Sequence, residues 1–251
     1  MVPAYEPPVL AAAPAAHVVD VSAATRDAEE SLRALQSEAP AYCAQYRRAL
    51  AEDLADLDEL ACVRRAGVDR EGNPLYVVIP GNLRGDSDLA RARRYAFRLM
   101  HEHAALGEGG KGKPYSIVFA QNNVNPRAAE LTVWFVVQTY RMLPRGYKKN
   151  LRMLGVLHPT AFTRACLLLL SPLLADNFWD KLYLADHVEF LDDITGPERV
   201  DALGLPEEYL AWDKELDARA KQDEEDLRAG TLYGGVVGVG TVFQAPGLDA
   251  R

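Results

Sequence analysis

A chain of 251 residues with 49% hydrophobic side chains can bury one substantial core, and its length allows one large domain or two small ones. A net charge of −8 excludes a broad nucleic-acid footprint, because such binding draws on a positive field that displaces counterions. The three cysteines, Cys43, Cys62 and Cys166, are odd in number, widely spaced and form no CxxC pair, so neither a disulfide framework nor a zinc knuckle is expected and a reducing, cytoplasmic compartment fits best.

Residues 1–26 are Pro- and Ala-rich at the start, with Glu6 and no early Lys or Arg. They read as a flexible tail without the charged region that opens a secretory signal. From Asp27 to Cys62, Leu32, Leu35, Tyr42, Tyr46, Leu50, Leu54, Leu57 and Leu60 recur at threes and fours, broken at Pro40, which predicts a helical layer over residues 27–66. Gly67 to Pro74 is turn chemistry, and Leu75 to Ile79 is a short apolar strand stopped by Pro80 and Gly81. Asp86 or Ser87 is placed to cap a helix running to about Ala105, with Leu89, Tyr95, Phe97, Leu99 and Met100 inward. A Gly/Lys loop, Gly107 to Pro114, precedes a second strand at Tyr115 to Ala120. Pro126 opens a helix from Arg127 to about Met142, and strands follow at Leu151 to Leu157 and Leu182 to Ala185.

Apolar strands separated by helical segments imply crossover connections, hence an α/β fold with a largely parallel sheet flanked by helices. The main domain spans 67–215. Residues 216–251 are the end of an acidic helix that starts at Asp213, followed by a Gly-rich tail, neither able to bury much. The longest apolar run, Ala165 to Leu174, contains Ser171 and Pro172 and falls short of the roughly 20 residues needed to cross a bilayer.

Chemistry-bearing motifs are weak. Gly107 to Lys113 fits a GxxxxGK phosphate loop but is followed by Pro114 where Ser or Thr would hold magnesium, and it precedes a strand instead of opening a helix. His101 and His103, two apart, do not share a helix face and read as a solvated helix end. His158 stands where the third strand ends and reads as structural, before Pro159 and a cap at Thr160. Asp192-Asp193 sits in an acidic turn, and no GxSxG elbow occurs. The expectation is a protein that is not an enzyme and needs no cofactor or metal.

Two segments stand out. In Ala161 to Trp179, Phe162, Cys166, Leu169, Leu170 and Leu173 form one stripe while Leu167, Leu168 and Leu174 cover much of the rest. Such a helix is buried on several sides or covers an apolar ligand. In Arg141 to Arg152, Arg141, Arg145, Lys148, Lys149 and Arg152 gather in an otherwise acidic chain, a cluster suited to anionic headgroups or an acidic protein surface.

The run Tyr147-Lys148-Lys149-Asn150-Leu151, then Val156-Leu157-His158-Pro159-Thr160, Phe162, Leu170-Ser171-Pro172-Leu173, Phe178-Trp179 and Lys181-Leu182-Tyr183 resembles the BCH-like branch of the CRAL-TRIO lipid-binding domains. This branch occurs in Rho GTPase-activating and ganglioside-induced differentiation-associated proteins. The resemblance covers about residues 70–215 and closes on Leu203-Gly204-Leu205-Pro206. It implies a sheet forming the floor of an apolar pocket and a gate helix, Ala161 to Leu174, as its lid. Val118, Ala120, Trp134, Val137, Phe162, Cys166, Leu169, Leu170 and Leu173 would line the pocket, and Lys181 falls where phosphoinositide-transfer members hold a headgroup lysine. Lys149 stands where those members carry an acid, a departure from phosphatidylinositol specificity. The partners implied are a hydrophobic lipid or prenyl tail, a Rho-family GTPase or its regulators, and a membrane touched peripherally.

Overall fold

The structure, a computed structural model, describes residues 21–83, 88–106, 111–121, 132–195 and 203–228. The helical periodicity before Cys62 resolves into α1 (Val21–Leu35), α2 (Pro40–Ala51) and a short α3 (Ala55–Glu59). Pro40, which breaks the periodicity, sits in the first turn of α2, where its missing N–H costs nothing and its fixed φ suits a helix start. Leu32 and Leu35 meet Tyr42, Cys43 and Tyr46 across the α1–α2 seam.

Five strands form one sheet in the order β1-β2-β3-β4-β5: β1 (Val63–Val68), β2 (Pro74–Val78), β3 (Tyr115–Ala120), β4 (Leu151–Leu157) and β5 (Leu182–Ala185). The pairings β2–β3, β3–β4 and β4–β5 are parallel, as expected. The strand β1, antiparallel to β2, corrects the expectation of a helical layer up to residue 66 and a turn from Gly67. Arg64, Arg65 and Gly67 hide it from a pattern search, and its register shifts between Arg65 and Val68, a fault tolerated at a sheet edge. Asp69 sets the turn that follows. Its Oδ1 accepts from the N–H groups of Glu71 (2.9 Å) and Asn73 (2.8 Å), and its Oδ2 from Ser116 Oγ (2.7 Å) on β3. Gly72 has φ +85°, a left-handed conformation that costs glycine nothing.

The alternation of side chains along each strand divides the sheet into two faces. Leu75, Val77, Val118, Ala120, Leu157 and Ala185 face a C-terminal layer made of the 3-10 turn Val188–Leu191, α8 (Asp192–Thr195), Leu203, Leu205 and the start of α9 (Glu207–Arg228). Gly155 lets this layer close in, since a Cβ there would lie 2.4 Å from Ile194 Cδ1. Tyr76, Tyr115, Ile117 and Leu154 face the other way, toward α1, α2, α4 (Leu89–Met100) and α6 (Arg145–Asn150). Crossovers that all step the same way along the sheet put their helices on one face, and α5 (Val133–Met142) and α7 (Ala161–Leu170) complete that helical face.

Several local expectations shift. The cap of α4 is Asp88, whose Oδ1 accepts from Ala90 N–H (2.7 Å), and α4 ends at Met100 in a 3-10 turn, His101–His103. Asp86, Ser87, Gly107 to Gly110, the helix start at Pro126, and residues 1–20 and 229–251 of the two expected tails lie outside the described residues, while α1 starts at Val21, inside the tail expected to reach residue 26. The helix α5 is capped by Thr132, whose Oγ1 accepts from Phe135 N–H (3.1 Å). The pair His101 and His103 is not a solvated end. His103 is fully buried, with Nδ1 2.8 Å from Lys113 O and Nε2 3.0 Å from Tyr76 OH. A carbonyl requires Nδ1 to carry the proton, so Nε2 accepts from the tyrosine. The His101 ring stacks on Tyr46 at 3.9 Å, and its Nδ1 lies 2.8 Å from Tyr42 OH.

Candidate apolar binding face

The helix α7 grows from the carboxyl end of β4, the edge where open α/β sheets hold their ligands. His158 takes φ +54° and turns the chain off the strand. Thr160 N–H then donates to Thr163 Oγ1 (3.3 Å), and Thr163 Oγ1 donates in turn to Gln121 Oε1 at the end of β3. Thr163, Cys166 and Leu170, spaced at threes and fours, are the buried residues of α7, and burial raises the Cys166 thiol to about 11. Its main neighbour is α5, and Tyr140 OH of α5 donates to Leu173 O (3.3 Å) in the 3-10 turn that follows.

The expected stripe is rotated. Cys166 and Leu170 lie inward and Phe162 is half-buried, but Leu168, Leu169 and Leu173 are 75%, 58% and 41% exposed. On α5, Val137 is buried while Trp134 is 60% exposed. Val118 and Ala120 do not belong to this site at all. Both are fully buried on the opposite face, against the C-terminal layer. Central strands of this sheet are apolar on both faces, so alternation alone could not say which side chains point toward α7. The residues of the right parity are Phe119, Val156 and Leu184, aligned across β3, β4 and β5. Val156 is buried, Phe119 half-buried, and Leu184, on the edge strand, 40% exposed. An apolar row thus runs from the sheet centre to an open rim.

Between Thr132 and Ala175 the chain has no Asp or Glu and carries Arg141, Arg145, Lys148, Lys149, Arg152 and Arg164. The expected basic loop contains a helix, α6, anchored by buried Tyr147 and Asn150. Asn150 Nδ2 donates to His103 O (3.0 Å) and Ala105 O (3.2 Å). Arg141, Arg145, Lys148 and Lys149 are exposed, with Lys148 Nζ 4.5 Å over the Tyr140 ring. Arg152 differs, because its guanidinium donates to Glu71 Oε2 (2.6 and 3.0 Å). Lys181, just before β5, is half-buried. Burial first, and the charge of Arg152 second, hold its ammonium below the usual lysine range.

His158 is enclosed by Trp212 (4.6 Å between centroids), Tyr209 (5.6 Å) and His187 (6.2 Å), with Nε2 2.8 Å from Asp213 Oδ1. Burial lowers its pKa, opposed by Asp213. Among the described residues no group of three or more His, Cys, Asp or Glu side chains is placed to hold a metal ion, and no helix is long and apolar enough to cross a membrane. A separate open cleft of about 730 Å³ lies between α2, α3 and α4, lined by Leu50, Leu54, Asp58, Tyr95, Arg98 and Leu99 among others. No residue expected to line the pocket or the basic patch borders it.

Residues 72–211 match the divergent CRAL/TRIO domain. The chain is 33% identical over 82 residues to Rho GTPase-activating protein 1 of Homo sapiens, covering 33% of this chain and 18% of that protein. It is 22% identical over 168 residues to a GDAP2 homologue of Nematostella vectensis, covering 66% and 31%. To the Rho GTPase-activating protein gacY of Dictyostelium discoideum it is 26% identical over 132 residues, covering 52% and 17%. It therefore spans under a third of the length of these relatives. The five-stranded, largely parallel sheet between two layers and the match over more than half its length show that the chain belongs to the divergent CRAL/TRIO domain family.

Proposed function

We propose that the chain is a non-catalytic binding module that takes a hydrophobic lipid or a prenyl tail between α7 and the Phe119–Val156–Leu184 row. The observation that carries this reading is the state of α7. Ten residues, apolar but for Thr163 and Arg164, bury only Thr163, Cys166 and Leu170 among themselves, whereas a helix so apolar normally buries every side. The open rim at Leu184 is what an apolar ligand beneath α7 would cover, and the outward leucines Leu168 and Leu169 are what a bilayer or a partner surface would cover. Exposed cations on α5 and α6, and Lys181, supply attraction for an anionic headgroup or an acidic partner surface. The names of the relatives direct the choice of partner to Rho-family GTPases and their regulators, met in the cytoplasm or peripherally at a membrane.

Organic extraction of the purified chain followed by mass spectrometry is the test, paired with capture of prenylated and unprenylated Rho-type GTPases. The expected result is a recovered lipid, preference for the prenylated GTPase, and loss of capture in Lys148→Glu/Lys149→Glu. Repeated extraction without lipid, together with failure to take up an added prenyl or acyl probe, sinks the pocket reading. A second reading is a GTPase-pathway scaffold whose pocket is vestigial. The outward leucines Leu168 and Leu169 fit a protein partner as well as a lipid. Equal capture of both GTPase forms selects that reading.

A further inference from the structure

One turn of α9 grips the base of α7 at two positions. Tyr209, Trp212 and Asp213 stand at i, i+3 and i+4 and so share a helix face. Trp212 and Tyr209 enclose the His158 ring at 4.6 and 5.6 Å, and Asp213 Oδ1 lies 2.8 Å from its Nε2. His158 is the residue at φ +54° from which the chain turns into α7. Tyr209 OH also donates to the backbone carbonyl of Gln121 (3.3 Å), the residue whose side chain accepts from Thr163 in the first turn of α7. The same Asp213 Oδ1 accepts from Val188 N–H (3.2 Å), which ties the grip to the segment after β5. Beyond Leu216 the described side chains of α9, Ala218, Arg219 and Lys221 to Glu225, are exposed. The helix therefore projects from the body by about 18 Å, at ~1.5 Å per residue over its last twelve.

We infer that α9 is a latch on α7: its first turns fix the hinge at His158 and Gln121, and displacement of its projecting half frees the first turn of α7 to swing from the sheet. Tyr209, Trp212 and Asp213 are positioning residues in this device, none of them reaching the Phe119–Val156–Leu184 row by any contact described above. A left-handed histidine is a conformation that its surroundings must hold in place; β5 holds the backbone, where His158 N–H donates to Ala185 O (2.8 Å), and Tyr209, Trp212 and Asp213 of α9 hold the ring. The projecting half offers a partner a lever on this grip at a distance from the apolar row. The inference rests on the proposed reading that an apolar ligand sits beneath α7, but its test needs no ligand.

The test is amide hydrogen exchange on the full chain, comparing wild type with Tyr209→Phe/Asp213→Asn. Both changes preserve side-chain shape and remove only the hydroxyl donor and the carboxylate charge. Amides of residues 161–167 are expected to exchange about tenfold faster while those of α4 are unchanged. Unchanged exchange in 161–167, with protection lost only within 207–213, overturns the latch. Should the double variant loosen α4 as well, the single Tyr209→Phe variant decides. A rise confined to 161–167 supports the coupling through Gln121, and no rise there overturns it. Because exchange is read on the free protein, a failed latch is distinguishable from a failed lipid pocket.

Discussion

Burying an imidazole without an anion to balance it makes a protein acid-sensitive, and His101 is such a case. It stacks on Tyr46, touches Tyr42 OH, and its Nε2 lacks a hydrogen-bond partner among the described residues. Burial pushes its pKa down from 6.5 to about 4. The unfolded chain therefore takes up the proton first, so the stability tied to neutral His101 is intact above pH 6.5 and is lost as pH falls toward 4. The loss is about 3 kcal/mol at most. His101→Phe keeps the stacked ring and removes the titration. Urea midpoints at pH 7 and pH 4.5 are expected to show a smaller acid loss in the variant than in wild type, and an identical loss would show that other groups carry it. Burial lowers His103 and His158 as well, and Glu52, held below its usual range by the hydrogen bond from Arg94, begins to lose its contribution as pH falls through the free carboxyl value, so the difference between variant and wild type is what isolates His101.

At the scale of elements, the two sides of α7 answer to different physics. Cys166 and Leu170 are packed, so Leu170→Ala leaves a void and costs about 2–5 kcal/mol. Leu168 and Leu169 point outward, and Leu168→Ser/Leu169→Ser is expected to leave the unfolding free energy from urea titration within about 0.5 kcal/mol of wild type while reducing binding to lipid vesicles. Lost stability in that double variant would mean that these leucines pack in solution. The stripe expected from the sequence ran through Leu169 and Leu173 because nearly every position of the segment is apolar, so its periodicity has no clear maximum. Tertiary neighbours, chiefly α5, set the phase instead. The strand β1 escaped for the converse reason. Its arginines and Gly67 carry no strand pattern, and it forms because β2 offers an unpaired edge.

Across the whole molecule, charge is unevenly spread. The chain carries −8 while residues 132–175 hold six cations and no acid, so an anionic surface repels most of the protein and attracts the α5–α7 side. With vesicles of phosphatidylcholine and about one third phosphatidylserine, binding is expected to weaken as salt is raised, by about 1 kcal/mol per cation engaged near the surface. Lys148→Glu/Lys149→Glu is expected to abolish that salt dependence. Cosedimentation at low and high salt is the check, and salt-independent binding would remove the electrostatic contribution. Arg152 contributes less to such a field than its place in the sequence implied, because Glu71 from the β1–β2 turn neutralises it.

The α/β class, four of the five strands, the parallel crossovers and the family were legible in the residues alone, because buried parallel strands and the segment from Tyr147 to Tyr183 carry their information in consecutive residues. The residues also marked α7 as an apolar helix needing cover, a matter of composition. It took the packed fold to show that Val118 and Ala120 face away from α7, that Phe119, Val156 and Leu184 have the opposite parity, and that α9 reaches His158 and Gln121 at the base of α7. Strand parity relative to a helix, and contacts between residues as far apart as Gln121, His158 and Asp213, depend on how layers pack in space, which no local pattern encodes.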